Sequence, residues 1–408
     1  MKILHTADWH LGRNLYGRQR YKEFTAFLDW LLNTIRTQCV DTLLVAGDIF
    51  DTGTPPHRAQ ALYYQFLCQV ATTNCRHVVI IAGNHDSPSF LDAPREILRA
   101  LHVHVIGNIG LPSEEVLLLR DTEDAVELIV CAVPYLRERD IRKVDGDESV
   151  EDKAQKLLNG IRAHYEDTVA YAVAQRTALH NDNIPIIATG HLFAAGGQTS
   201  DGDGTHDLYI GTLAHVPADA FPEAIDYLAL GHLHQPQCIA GNITRRYSGA
   251  PLALGFGEAG KPKSVCLVTF KEKKAYIETL DIPCWQRLER ISGDWPHIEQ
   301  RLQILLTYHE SIWLEIHYDG AEIMADLRER LESIVANSSL EILRIKNNRV
   351  TAQVLAQDHA AETLNDLNVL DVFTRCLDAH GIPQKQRAAL QDDYCTILTT
   401  LNDEPQND

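Results

Sequence analysis

A chain of 408 residues exceeds one typical core, so two or three domains are expected at about 100–200 residues each. The hydrophobic share of 45% is that of a globular protein, and no apolar run approaches the roughly 18 residues needed to span a bilayer. A net charge of -19 argues against non-specific coating of nucleic acid, but it leaves room for a local basic patch or a partner that holds the acid groups off.

The start, Met1-Lys2-Ile3-Leu4, is too short an apolar run for a signal peptide, and Asp8 and His10 interrupt it. The expectation is a cytoplasmic protein with no membrane association. Nine scattered cysteines without a C-x-x-C pair argue against a disulfide framework and against a cysteine zinc site.

Short runs rich in Val, Ile and Leu predict buried strands at Ile3–Leu4, Thr42–Ala46, Val78–Ala82, Glu127–Val133, Ile184–Ala188 and Tyr227–Leu230. Helical spacing lies between the early ones. Phe24, Phe27, Leu28, Leu31, Leu32 and Ile35 recur on one face. "RAQALYYQFLCQV" and "PREILRAL" follow the same rule, the second opening on Pro94. Strands alternating with helices predict an α/β sandwich. Gly196–Asp207 is rich in Gly, Ser and Asp and reads as a loop, and Ser264–Ile282 reads as a hairpin closing the first domain. After Pro283 helix and strand patterns alternate in a small α+β domain, followed by two amphipathic helices over about Glu362–Leu401 and an acidic tail. The expected domains are 1–282, 283–350 and 351–408.

Five predicted strands run straight into metal-type side chains. Ile3–Leu4 leads to Asp8 and His10, and "TLLVAGD" leads to Asp48. "VVIIAGNHD" leads to Asn84, His85 and Asp86, "PIIATGH" to His191, and "YLALGHLH" to His232 and His234. Glycine precedes the polar residue in four of the five, as a sharp turn at a strand end requires. In an α/β sheet the carboxyl ends of the strands share one functional edge. Asp8, His10, Asp48, Asn84, His191, His232 and His234 are therefore seven candidate ligands. With Asp48 bridging, they fill four positions on each of two ions. Mixed imidazole and carboxylate donors suit Mn, Fe or Zn better than Mg or Ca. Two such ions about 3.5–4 Å apart activate a water and clamp a phosphoryl group. Trp9 and the remaining histidines read as packing or solvated groups.

The blocks D-x-H, G-D, G-N-H-D, G-H and G-H-x-H resemble the calcineurin-like metallophosphoesterase superfamily over about residues 1–282. A closer resemblance, to the nuclease subunits of bacterial SbcCD-type complexes, rests on "HTADWHLG", "VAGDIFDTG", "AGNHDS", "ATGHL" and "ALGHLH" and runs on through "SGAPLALGF". This implies a metallophosphoesterase β-sandwich flanked by helices, a small α+β capping domain and C-terminal helices that dock on an SbcC-type ABC ATPase. It implies two Mn2+ ions, other divalent transition metals being alternatives. One ion would sit on Asp8, His10, Asp48 and His234, the other on Asp48, Asn84, His191 and His232. His85 would be catalytic, orienting the phosphate or protonating the leaving oxygen, and Asp86 would hold a histidine in one tautomer. The implied substrates are DNA ends and hairpins, and the implied assembly is a homodimer within a heterotetramer.

Arg13, Arg18, Arg20, His57, Arg58, Arg137 and Arg139 are candidate phosphate contacts, whose binding would weaken with salt. The chain lacks G-x-x-x-x-G-K-S/T, so it is not the ATPase of such a complex. Protein phosphatases of the superfamily carry G-D-x-V-D-R-G where this chain reads "GDIFDTG", which disfavours that alternative.

Overall fold

Each of the six apolar runs becomes a strand, and with six further strands they build two six-stranded sheets packed face to face. The computed structural model describes residues 1–142, 149–194, 216–320, 324, 326–347 and 387. The first sheet has the order Lys274–Asp281, Ser264–Lys271, Lys2–Thr6, Thr42–Ala46, His77–Ile81 and Val103–Ile106. Its last four strands are parallel, and Ser264–Lys271 is antiparallel to both its neighbours. The second has the order Gln237–Ile239, Asn242–Tyr247, Tyr227–Gly231, Ile186–His191, Val126–Cys131 and Val116–Arg120, parallel in its middle and antiparallel at both margins.

Burial on both faces explains the unbroken apolar runs. Side chains alternate across a strand. Ile3, Leu44, Val79 and Ile81 therefore meet Leu128, Val130, Ile187 and Ala229 of the other sheet. Leu4, Leu43, Val45, Val78 and Ile80 point the other way, onto Phe24, Phe27, Leu31 and Phe66 of the helices Tyr21–Gln38 and His57–Val70. Trp9 belongs to this packing. It is fully buried between Phe27 and Phe66, with Nε1 donating to Thr6 Oγ1 at 3.0 Å.

The outer face of the second sheet is covered by a helix that the sequence pattern did not reveal, Val150–Ala178. It starts where the Ser149 hydroxyl accepts the Asp152 N–H at 3.1 Å, and it buries Leu157, Ile161, Tyr165, Val169 and Ala172. These anchors are spaced by four and three residues, but polar residues dilute them over 29 positions. Truncating Ile161 to alanine would cost about 2–5 kcal/mol, because its site has no exposure through which to relax.

The chain divides into two compact units, Met1–Glu289 and Arg290–Asp408, a division that falls within the strand Arg287–Gly293. The second unit is α+β. Its sheet has the order Arg287–Gly293, Ile312–Tyr318 and Leu340–Asn347, the last two parallel. The helices Trp295–Leu305 and Leu327–Val335 share a core of Ile298, Leu302, Leu331, Ile312, Leu314 and Ile316 with it. Apart from Arg387, the expected C-terminal helices, the acidic tail and the Gly196–Asp207 loop lie outside the described residues. No described helix is long and apolar enough to cross a membrane. The seven described cysteines are all free; Cys75, Cys131 and Cys266 are buried.

Candidate metal centre

The loops that leave two neighbouring strands, Lys2–Thr6 and Thr42–Ala46, are stitched together before any side chain is considered. Asp8 N donates to Gly47 O at 3.0 Å, His10 N to Asp48 O at 3.0 Å, and Leu11 N to Ile49 O at 2.9 Å. Asp8, His10 and Asp48 adopt left-handed φ values of 54°, 48° and 51°, and His232 reaches 99°. Such values cost energy in non-glycine residues and persist where the surroundings enforce them. Two glycines make the approach possible. At Gly47, with φ of 88°, an added Cβ would collide with the His191 ring, and at Gly83 it would collide with the Asp48 carboxylate.

All seven candidate ligands come together at this edge. Asp48 Oδ2 lies 3.5 Å from His10 Nε2 and 3.3 Å from His191 Nε2, and His191 Nε2 lies 2.9 Å from Asn84 Oδ1. Asp8 Oδ1 accepts the His232 backbone N–H at 2.9 Å and stands 4.0 Å from His191 Nδ1. The His10 and His234 rings are 5.3 Å apart, and those of His191 and His232 are 5.5 Å apart. Ligand atoms within 4.8 Å of one another group as Asp8, His10 and His234, as Asp8, Asp48 and His191, and as His10, Asp51 and His85. Asp8 thus shares the centre of the cluster with Asp48.

The electrostatics of the cluster call for a cation. Burial lifts the Asp8 carboxyl to about 6, against the pull of His191 and His234. Burial also opposes ionisation of Asp48, but His191, then His10 and His85, outweigh it and hold that carboxyl well below the usual range. Burial holds His10 down to about 4 and His232 well below its ordinary value, so both offer neutral lone pairs. For His191 burial works against the charge, yet Asp48 raises it to about 9. Asp8 Oδ2, His10 Nε2 and His232 Nε2 are buried without a hydrogen-bond partner. Unpaired polar atoms in an interior are costly, and a pair of divalent ions, one on the Asp8 and His10 side and one on the His232 side, would satisfy all three.

His85 sits beside the cluster, partly exposed, its ring 4.8 Å from that of His10. Its Nδ1 lies 2.8 Å from Asp51 O, a carbonyl that can only accept, so Nδ1 carries the proton and Nε2 the lone pair. Asp86 departs from expectation. Its buried carboxylate holds no histidine but accepts three backbone N–H groups, Phe50 at 2.9 Å, Ile49 at 3.1 Å and Gly83 at 2.9 Å. It ties the Asp48 loop to the Asn84 loop, because both loops present unpaired donors to the same spot.

Motif spacing did not reveal the groups that stand behind the histidines. Asp51 Oδ1 is 3.3 Å from His10 Nδ1 and accepts from Arg13 Nη1 at 2.9 Å. Glu258 Oε1 is 3.3 Å from His234 Nδ1, and Glu258 forms a buried ion pair with Lys263. His191 Nδ1 faces Ala46 O at 3.0 Å. Asp51 had a legible signal, an acid three residues after Asp48. Glu258 had none, since it lies 24 positions beyond His234.

The candidate phosphate contacts separate into three kinds. Arg20 is a correction. It is 2% exposed, its guanidinium gripping Glu23 at 2.6 and 2.8 Å and donating to Ala253 O at 2.6 Å, so it fastens a loop and is closed to a phosphate. Arg13 is half-buried and committed to Asp51 and to Leu254 O. Arg18, His57, Arg58 and Arg139 are exposed and Arg137 is partly exposed; Arg58 lies 4.3 Å above the Tyr21 ring and Arg139 Nε is 3.6 Å from Asp140.

A two-sheet sandwich that gathers Asp, Asn and His at strand ends defines a metal-dependent phosphoesterase. A family model described as calcineurin-like phosphoesterase matches residues 1–236, and one described as Type 5 capsule protein repressor C-terminal domain matches 284–381. The D subunit of the SbcCD nuclease of Escherichia coli (strain K12) is 38% identical over 404 residues, 98% of each chain. The proteins of the same name from Bacillus subtilis (strain 168) and Staphylococcus saprophyticus are 38% identical over 283 residues, 69% of each chain, and 25% identical over 407, 99% of each. The chain belongs to the calcineurin-like phosphoesterase family, in the branch of the SbcCD nuclease D subunits. Divalent-metal binding follows from that membership.

Proposed function

We propose that the chain is a two-metal-ion DNA nuclease, a double-strand exonuclease and a single-strand and hairpin endonuclease. It would work with an SbcC-type ABC ATPase in DNA end processing, repair and recombination, in the cytoplasm at the nucleoid. The observation that carries the reading is the convergence of the seven candidate ligands at one edge, among them the buried, unpartnered Asp8 Oδ2, His10 Nε2 and His232 Nε2. Asp8, His10, Asp48 and His234 would hold one Mn2+, and Asp48, Asn84, His191 and His232 the other. The relatives are named as one component of the SbcCD nuclease, which supports both the activity and the partner. The basic residues Arg18, His57, Arg58 and Arg137 would meet the DNA backbone.

When bound, such ions supply positive charge for the phosphodiester and activate water near neutral pH. The protein's own part is positioning and proton transfer. Asp51 O keeps a proton on His85 Nδ1, so Nε2 is the nitrogen that would take a second proton from solvent and, as the imidazolium, hold the phosphate or hand that proton to the leaving oxygen. The stitched loops keep this imidazole in register with Asp48, whose Oδ1 accepts the His85 backbone N–H at 2.9 Å.

The test is cleavage of a blunt duplex and of a hairpin with Mn2+, with and without an SbcC-type partner and ATP, beside His85→Gln. Cleavage that needs Mn2+ and His85 and grows with partner and ATP supports the reading. Inert DNA with turnover of a small phosphodiester intact would leave the metal centre standing and overturn the substrate.

A further inference from the structure

The two halves of the cluster are backed differently. Behind His10 stands Asp51, 3.3 Å from Nδ1, and behind Asp51 stands Arg13 at 2.9 Å. Behind His234 stands Glu258, 3.3 Å from Nδ1, and behind Glu258 stands Lys263. The second stack is the more enclosed: Glu258 is 0% and Lys263 8% exposed. Lys263 Nζ also donates to His234 O at 3.1 Å, so it grips the same residue by its backbone. Both imidazoles therefore lie between the cluster and a carboxylate that a cation keeps ionised.

The other half has no such backing. His191 Nδ1 faces a neutral carbonyl, Ala46 O, and Asn84 offers a neutral amide oxygen. Among the described residues, no carboxylate–cation pair stands behind His191 or His232. A carboxylate behind an imidazole fixes its tautomer and raises the basicity of the nitrogen that faces the metal. A full negative charge does this more strongly than a carbonyl dipole.

We propose that Asp51 and Glu258, steadied by Arg13 and Lys263, are positioning residues that make the Asp8, His10 and His234 half the tighter of two metal sites. It fills first, and the Asn84, His191 and His232 half loads second and exchanges more readily. The proposal rests on the two-ion reading above.

The test is Mn2+ titration of the purified full-length chain, with free Mn2+ followed by electron paramagnetic resonance. The wild type should bind two ions in steps whose affinities differ tenfold or more. Glu258→Gln and Asp51→Asn should each weaken the first step about 10- to 100-fold. Asn84→Ala should remove the second step and leave the first. Glu258→Gln leaves a buried lysine unpaired, so Asp51→Asn, at a side chain 24% exposed, is the variant that keeps its fold. Two ions bound in equivalent steps overturn this inference alone, as does a first step that Asp51→Asn leaves unchanged. Fewer than two ions bound by the wild type overturn the two-ion reading, and the inference with it.

Discussion

The Asp48 carboxylate accepts the backbone N–H of His85 at 2.9 Å, so the acid at the heart of the cluster also fixes the backbone of the histidine beside it. Ligand geometry and the placement of the proposed acid are thereby one structural fact. The arrangement separates the proposed metal ligands from the residue proposed to move a proton.

His85→Gln should bind the same number of Mn2+ ions as the wild type. Its turnover should fall about 10²- to 10⁴-fold, the usual contribution of a positioned acid or base. Single-turnover cleavage beside a metal titration measures both. Turnover within a few-fold of wild type would remove His85 from the mechanism.

Asp48→Ala should lose both ions, because Oδ2 stands between His10 Nε2 at 3.5 Å and His191 Nε2 at 3.3 Å. Equilibrium dialysis against Mn2+ decides it. Retention of one ion would hand the bridging role to Asp8, which belongs to two of the ligand groups.

Chelation should lower stability as well as abolish turnover, since buried lone pairs and carboxylates lose their counter-charge. At a Mn2+ concentration of about 100 times Kd the bound ion stabilises by about 2.7 kcal/mol. Thermal melting in chelator and in Mn2+ should show a matching rise in Tm. An unchanged Tm would mean the cluster binds no ion in the folded state.

Gly83→Ala should disturb the centre although glycine contributes no side chain. The added methyl would strike the Asp48 carboxylate. A tenfold or greater loss of Mn2+ affinity is expected, with a stability loss of roughly 1–3 kcal/mol. Wild-type affinity in this variant would show that the two loops separate freely.

The second unit should be acid-labile through Glu315, which is 1% exposed. Burial by itself raises its pKa, but Arg290 at 2.6 Å and then His317 outweigh it and hold the carboxyl below the usual range. A depressed folded pKa means that the stabilisation is fully present above the unfolded value of about 4.3. It is lost as pH falls through the folded value. Hydrogen exchange over Ile312–Tyr318 should therefore accelerate in acid. Glu315→Gln should lose about 1 kcal/mol at pH 7, because the cations it leaves, Arg290, Arg344 and Lys346, are partly exposed and regain water, and it should lack that acid step. The same acid acceleration in Glu315→Gln would place the titrating group elsewhere.

The α/β class and the seven converging residues were legible because their signals are local. A run such as "TLLVAGD" carries strand, turn and ligand within seven residues, and parallel strands buried on both faces bring their carboxyl ends to one edge. The helix Val150–Ala178 was obscured by the polar residues interspersed among its anchors, and the strands Val116–Arg120 and Asn242–Tyr247 by partial exposure at the sheet margins. The pairings were set by the fold alone. Arg20 closes on Ala253 O, 233 positions away, where the sequence shows only an arginine near a strand end. Asp86 turns to backbone donors, and Glu258 with Lys263 comes to stand behind His234. A buried charge takes the partner that packing brings within hydrogen-bond reach, and that distance is a property of the assembled sheets.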